Sequence, residues 1–225
     1  MKKIGFIGAF EKTDLIIYIA KILTELQKRV LVIDTTILQK ARYIIPCIAP
    51  TKFYVTEYEQ IDVAVGFGNI QALNQYLGNI ENEYDIVLID VDSYDKFDEF
   101  ELANSDKIYF VTAFDSFSLK KGIEIIGTMR QKVKMKKVLF ESSYSEENDE
   151  YLNLLSLTYP IIWDKEKIYF PFEQGDLTAI IENQRVTKIK FKNLTEDYRQ
   201  GLFEISKEII PEGKTGEIKK ILKNL

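Results

Sequence analysis

Residues 84–90, YDIVLID, constrain the fold more than any other stretch of the chain. Four apolar residues in succession, Ile86 to Ile89, leave neither face of a strand for water. Such a strand belongs in the middle of a sheet that is covered on both sides, and sheets of that kind are parallel. Parallel neighbours are joined by crossovers, normally helices. The chain offers them. Residues 4–7 read as a first strand halting at Gly8, and Leu15, Ile16, Ile19, Ile22, Leu23 and Leu26 then follow at helical spacing. Residues 30–33 form a second apolar strand ending on Asp34.

Further on, residues 37–50 read as a short helix or loop broken by Pro46 and Pro50. A third strand spans 63–65, and Asn69 is placed to cap a helix over 70–77. Strands at 108–111 and 138–140 flank a helix that runs from Ser116 to Met129. A helix is expected near 149–157, an irregular stretch over 164–185 around Pro171 and Gly175, and a long helix over 195–210 ending at residues 211–213. The alternation predicts an α/β fold: a doubly wound, mostly parallel sheet flanked by helices. One domain is expected over residues 1–213, with a short amphipathic segment over 214–225.

Composition narrows the chemistry. There is no histidine, and Cys47 is the sole cysteine. Histidine-based nucleophilic catalysis, internal disulfides and zinc sites built on several cysteines are excluded. No catalytic residue is assigned; what remains is Asp, Glu, Lys, Ser, Thr and backbone amides, the set that serves phosphoryl transfer. The start of the chain is too broken by Gly5, Gly8, Glu11 and Lys12 for a signal peptide, so a cytoplasmic location is expected.

A strand–loop–helix start is where phosphates bind, since unpaired amides and the helix dipole point there. The loop here is Gly8-Ala9-Phe10-Glu11 and leads into Lys12-Thr13, a charge for phosphate and a hydroxyl for magnesium. Asp34 and Asp90 end two neighbouring strands where magnesium-linked acids sit. With IYFVTAFDSFSLKKG at 108–122 and EQGDL at 173–177, this order of motifs resembles the MinD/ParA group of P-loop ATPases across nearly the whole chain. The resemblance implies a P-loop NTPase fold, ATP and magnesium as cofactors, a homodimer, and a role in positioning other machinery at membranes or on DNA. It implies nucleotide contacts at Gly8, Glu11, Lys12, Thr13, Asp34 and Asp90, with Thr13, Asp34 and Asp90 nearest the metal.

The departures from that family pattern are equally specific. Ile7 replaces the lysine that reaches the partner's nucleotide, Glu11 replaces the glycine before Lys12, and Thr36 stands where an acid orients water. Glu141-Ser142 occupies the place of the adenine-reading asparagine. The leading reading is a localisation, partition or assembly factor with a degenerate nucleotide site, serving a larger machine such as a pilus, secretion, conjugation or division apparatus. Two other readings stay open: an active ATP-dependent dimerisation switch, and a partition-type DNA-binding protein. For the last, the candidate contacts are Lys132, Lys134, Lys136 and Lys137, and Arg185, Lys188, Lys190 and Lys192. Ile218, Ile221, Leu222 and Leu225 fall on one helical face beside Lys219 and Lys220. This resembles the C-terminal membrane-targeting helix of MinD proteins and implies weak peripheral membrane contact, with docking on the chain's own domain as the other outcome.

Overall fold

The structure, a computed structural model, describes residues 1–47, 51–142, 145–210 and 213–225. Pro50, Pro211 and Glu212, which figure in the expected breaks, lie outside the described residues. The strands are β1 (Lys2–Ile7), β2 (Val30–Asp34), β3 (Tyr54–Tyr58), β4 (Ile61–Val65), β5 (Ile86–Val91), β6 (Lys107–Ala113), β7 (Val133–Glu141) and β8 (Ile161–Pro171). They form one sheet in the order β3-β4-β2-β5-β1-β6-β7-β8. Every pairing is parallel except β3 with β4.

The doubly apolar stretch is central, as expected. β5 lies between β1 and β2, and its side chains alternate between two cores. Ile86 and Leu88 join the core beneath α1 (Thr13–Glu25), while Val87, Ile89 and Val91 join the opposite one. The first core also takes in α8 (Gln174–Val186), α9 (Glu196–Ile209) and α10 (Thr215–Asn224). The second lies under α3 (Ile70–Leu77), α4 (Ile80–Glu83), α5 (Tyr94–Glu99), α6 (Ser116–Gly127) and α7 (Glu146–Leu155). A short α2 (Ala41–Ile44) follows β2.

Capping residues start several of these helices. Asn69 Oδ1 accepts the Ala72 amide at 2.8 Å, and Asp115 Oδ1 accepts the amides of Phe117 and Ser118. Thr195 caps α9 and is itself held by Asp176, the acid of the EQGDL stretch, through bonds of 2.7 and 2.8 Å. That buried carboxylate therefore ties the start of α9 to α8.

The β3–β4 hairpin was not foreseen. Its two-residue turn is Glu59-Gln60, both at positive φ (52° and 69°), with Tyr58 paired to Ile61. Turns of this kind normally advertise themselves with Asn-Gly or Asp-Gly, and this one carries neither. The expected irregular stretch over 164–185 is also corrected. β8 continues to Pro171 and α8 begins at Gln174. β8 is an edge strand, where a terminal proline and alternating charges such as Asp164, Lys165, Glu166 and Lys167 are tolerated.

The terminal segment lies against its own domain. α10 is an integral element: Ile218 and Leu222 are 1% and 6% exposed and pack into the first core, with Ile221 and Leu225 beside them. The apolar face expected to meet a membrane is thus occupied by α1 and α9, and Lys219 and Lys220 remain on the outside. Among the described residues no helix is long and apolar enough to cross a membrane.

Candidate functional site

The chain leaves β1 through a backbone only glycine can provide. Gly8 has φ +144°, and a Cβ built there would lie 2.1 Å from the carbonyl oxygen of Val111 in β6. The loop is therefore pressed between β1 and β6, at the carboxyl ends of the central strands, where doubly wound sheets hold ligands. Asp34 and Asp90 are register partners on β2 and β5, so both carboxylates reach the same crevice.

Four of the expected residues come together there. Lys12 Nζ lies 2.7 Å from Asp90 Oδ1 and donates to the Gly8 carbonyl at 2.8 Å; Thr13 Oγ1 donates to Asp90 Oδ2 at 3.0 Å. Lys12, Thr13 and Asp90 are all buried. Burial is the main influence on Asp90 and pushes its carboxyl from the ordinary 3.8 up to about 7; Lys12 opposes the shift and Asp34 adds to it.

Asp34 is bound differently. Its Oδ1 accepts the amide (3.0 Å) and hydroxyl (2.6 Å) of Thr36, and its Oδ2 accepts the Ala41 amide at 3.0 Å. Burial raises its carboxyl as well, against the pull of those bonds. The carboxylate thus organises the turn from β2 into α2. Asp92 Oδ2 likewise accepts the Ile37 amide, a loop contact.

Glu11 decides the character of the loop. Its Oε1 accepts the Thr13 backbone N–H at 2.8 Å, the first free amide of α1, and its Oε2 lies 2.5 Å from Lys40 Nζ. Lys40 also meets Asp14 Oδ2 at 2.5 Å, so one lysine of the segment after β2 holds two acids at the head of α1. The helix N-terminus, the natural seat of a phosphate, already faces a carboxylate of the chain itself. A phosphate placed there would have to displace Glu11 and draw Lys12 away from Asp90.

Lys40 and Phe10 were not foreseen as parts of this site. Twenty-six residues separate Lys40 from Asp14, and no local spacing reveals such a contact. Phe10 spans the gap from the loop to the ends of β7 and β8, its ring 4.6 Å from Phe140 and 5.7 Å from Phe172. Between the loop and the segment after β2 a cavity of about 390 Å³ remains, lined by Lys12, Thr13, Asp90, Asp92, Leu38 and Tyr43 among others. Leu38 and Tyr43 of its lining are 78% and 80% exposed, as is Ile37 next in the chain at 78%.

The two lysine clusters fare differently. Lys134, Lys136 and Lys137 belong to β7, and the last two are buried. Lys136 pairs with Glu208 and with Glu166 (3.0 Å), Lys137 with Asp149 (2.5 Å), and Lys134 with Asp164 (3.5 Å). Lys136 and Lys137 are thus internal structural partners, whereas Lys132 and Lys134 stay exposed. Arg185, Lys188, Lys190 and Lys192 are exposed, while Ile189 and Phe191 turn inward, but the segment is a loop and not the half-buried strand its alternation suggests.

With this geometry in hand, known proteins offer a comparison. A chain of the MinC:MinD cell division protein complex of Aquifex aeolicus superposes with a TM-score of 0.60 over 95% of this chain and 99% of its own, at 17% identity. The fold is that of the MinD/ParA ATPases. A ParA family ATPase from Chlorobium tepidum TLS matches with a TM-score of 0.57 at 12% identity, covering 89% of this chain and 96% of its own. The Cyanothece McdA–ATP complex matches with a TM-score of 0.59 at 13% identity, covering 92% and 95%. No family model matches the sequence, and no curated protein matches it. The MinD/ParA fold accordingly rests on the strand order and superposition, with little sequence identity behind it.

Proposed function

We propose that the chain is a positioning or assembly factor of the MinD/ParA type whose nucleotide crevice is closed by its own side chains. One observation carries this reading: the Glu11 carboxylate sits on the first amide of α1 and is held there by Lys40. A second carboxylate-bound contact, Lys12 with Asp90, leaves the loop lysine satisfied without phosphate. Asp34 is engaged by Thr36 and Ala41, and Thr36 stands where the family pattern has its water-orienting acid.

As arranged, these residues do not fit a magnesium triphosphate. Thr13 and Asp90 are the right kinds of donor for the ion, but they are bonded to each other. A partner-binding role in a larger assembly follows from the fold type, and the apolar rim of Ile37, Leu38 and Tyr43 supports a homodimer that meets across the crevice.

Turnover decides between this reading and the active switch. The switch reading is favoured by one feature, the intact Gly8–Lys12–Thr13–Asp90 constellation. Purified protein with ATP and magnesium is expected to release no phosphate above background. Turnover that disappears in Lys12→Ala would refute the proposal.

A further inference from the structure

β8 ends the sheet, and a groove of about 400 Å³ runs along its residues 167–171. The opposite wall is one face of α9: Asp197, Gln200, Gly201 and Glu204 fall at helical spacing and all line the groove. Gly201 makes the arrangement possible, because a Cβ there would lie 2.6 Å from the Phe170 ring and push α9 away from the strand. A groove between an edge strand and a helix is the geometry in which extended peptides add a strand to a sheet. Alternate backbone groups of an edge strand point away from the sheet and supply the ladder.

The charge in the groove is one-sided. Glu141, Glu173, Asp197 and Glu204 all line it, and none of the four forms an ion pair among the described residues. The one lysine in the wall, Lys167, is bound to Asp149 at 2.7 Å. Glu141 is only 7% exposed and burial pushes its carboxyl above the usual range; its Oε2 accepts the Ser145 amide and the Asn148 side chain also reaches the carboxyl group, while Oε1 is buried without a close hydrogen-bond partner. A buried, unsatisfied carboxylate oxygen is costly unless something arrives to meet it.

We propose that the groove between β8 and α9 binds an extended, lysine- or arginine-bearing segment of a partner protein, which adds as a strand to β8 and places its cations on Glu141, Asp197 and Glu204. The site is independent of the nucleotide reading, since it uses neither the loop after β1 nor the ends of β2 and β5. It gives a positioning factor a way to hold a partner that needs no nucleotide.

The test uses the full chain and three capped eight-residue fluorescent peptides, followed by anisotropy. One carries lysines in adjacent pairs separated by valine pairs, so that cations reach both faces of the added strand, one has glutamate in the same places, and one is the lysine peptide N-methylated at alternate amides. Saturable binding of the lysine peptide alone is expected, weakened at least tenfold by Glu141→Gln and by Asp197→Asn/Glu204→Gln. The second variant changes residues near the surface of α9, so it keeps the test valid should Glu141→Gln fail to fold. Equal binding of the glutamate peptide, or unchanged binding in both variants, would overturn the proposal. Equal binding of the N-methylated peptide, with displacement by spermidine, would reduce the groove to a cation trap and overturn strand addition. Self-association without peptide, lost in the same variants, would make a second copy of the chain the occupant and overturn the partner assignment.

Discussion

At the scale of single residues, the site is governed by groups that satisfy one another. Asp90 is the most perturbed of them, and its sign is unusual for a carboxylate in contact with a lysine. Burial outweighs Lys12, so the native state keeps a proton on Asp90 that the unfolded chain has released between about pH 4 and 7. Stability from this group is full below about pH 4 and is lost as pH rises through about 7. Glu208 acts in the opposite direction. Burial works against its charge, yet Lys107, Lys136 and Tyr109 hold it below the usual carboxylate range, so its contribution is lost as the solution is acidified through that lowered value. Carboxyl-carbon NMR should show Asp90 titrating near neutrality and moving higher still in Lys12→Met; a midpoint near 4 in both proteins would contradict this account. Gly8 makes a simpler prediction. In Gly8→Ala the Cβ meets the Val111 carbonyl on a backbone that alanine avoids, and a loss of about 3 kcal/mol or more is expected by urea denaturation.

At the scale of elements, α10 separates the two outcomes left open by the sequence. Its spacing marks an amphipathic basic helix, and such a helix can lie on lipid or on protein with equal propriety. The structure supplies a receiving surface made by α1 and α9, which no inspection of residues 214–225 alone could reveal. Ile218→Ala is expected to lower unfolding stability by about 2–5 kcal/mol, the usual range for emptying a buried site. Pelleting with anionic vesicles should not distinguish the full chain from one ending at Gly213; a clear loss of pelleting on truncation would restore the membrane reading. The same contrast runs through the rest of the chain. Strands with two buried faces were legible because their apolar runs are a direct consequence of that environment, as in β2 and β5. β3 and β8 were not legible, because edge strands carry charges and polar residues by necessity, and the turn at Glu59-Gln60 lacks the residues that would mark it.

At the scale of the whole molecule, topology brings Gly8, Lys12, Thr13, Asp34 and Asp90 to one end of the sheet, and their order in the chain was enough to foresee that gathering. What they do once gathered was less legible. That Glu11 would lie against the head of α1 depends on Lys40, which reaches it from the segment beyond the next strand. A net charge of -5 and a row of lysines in β7 likewise gave no hint that those lysines would be consumed by Glu208, Glu166 and Asp149 within the fold. The central proposal is that Glu11 and Lys40 occupy the phosphate seat of an ATPase-type fold. Its most direct test is a calorimetric titration of ATP with magnesium into the wild-type protein and into Glu11→Gly, which frees the first amide of α1 and returns the missing glycine. No measurable binding to wild type and at least tenfold tighter, saturable binding to Glu11→Gly is the expected result. Tight binding to the wild-type chain, unimproved by Glu11→Gly, would contradict it.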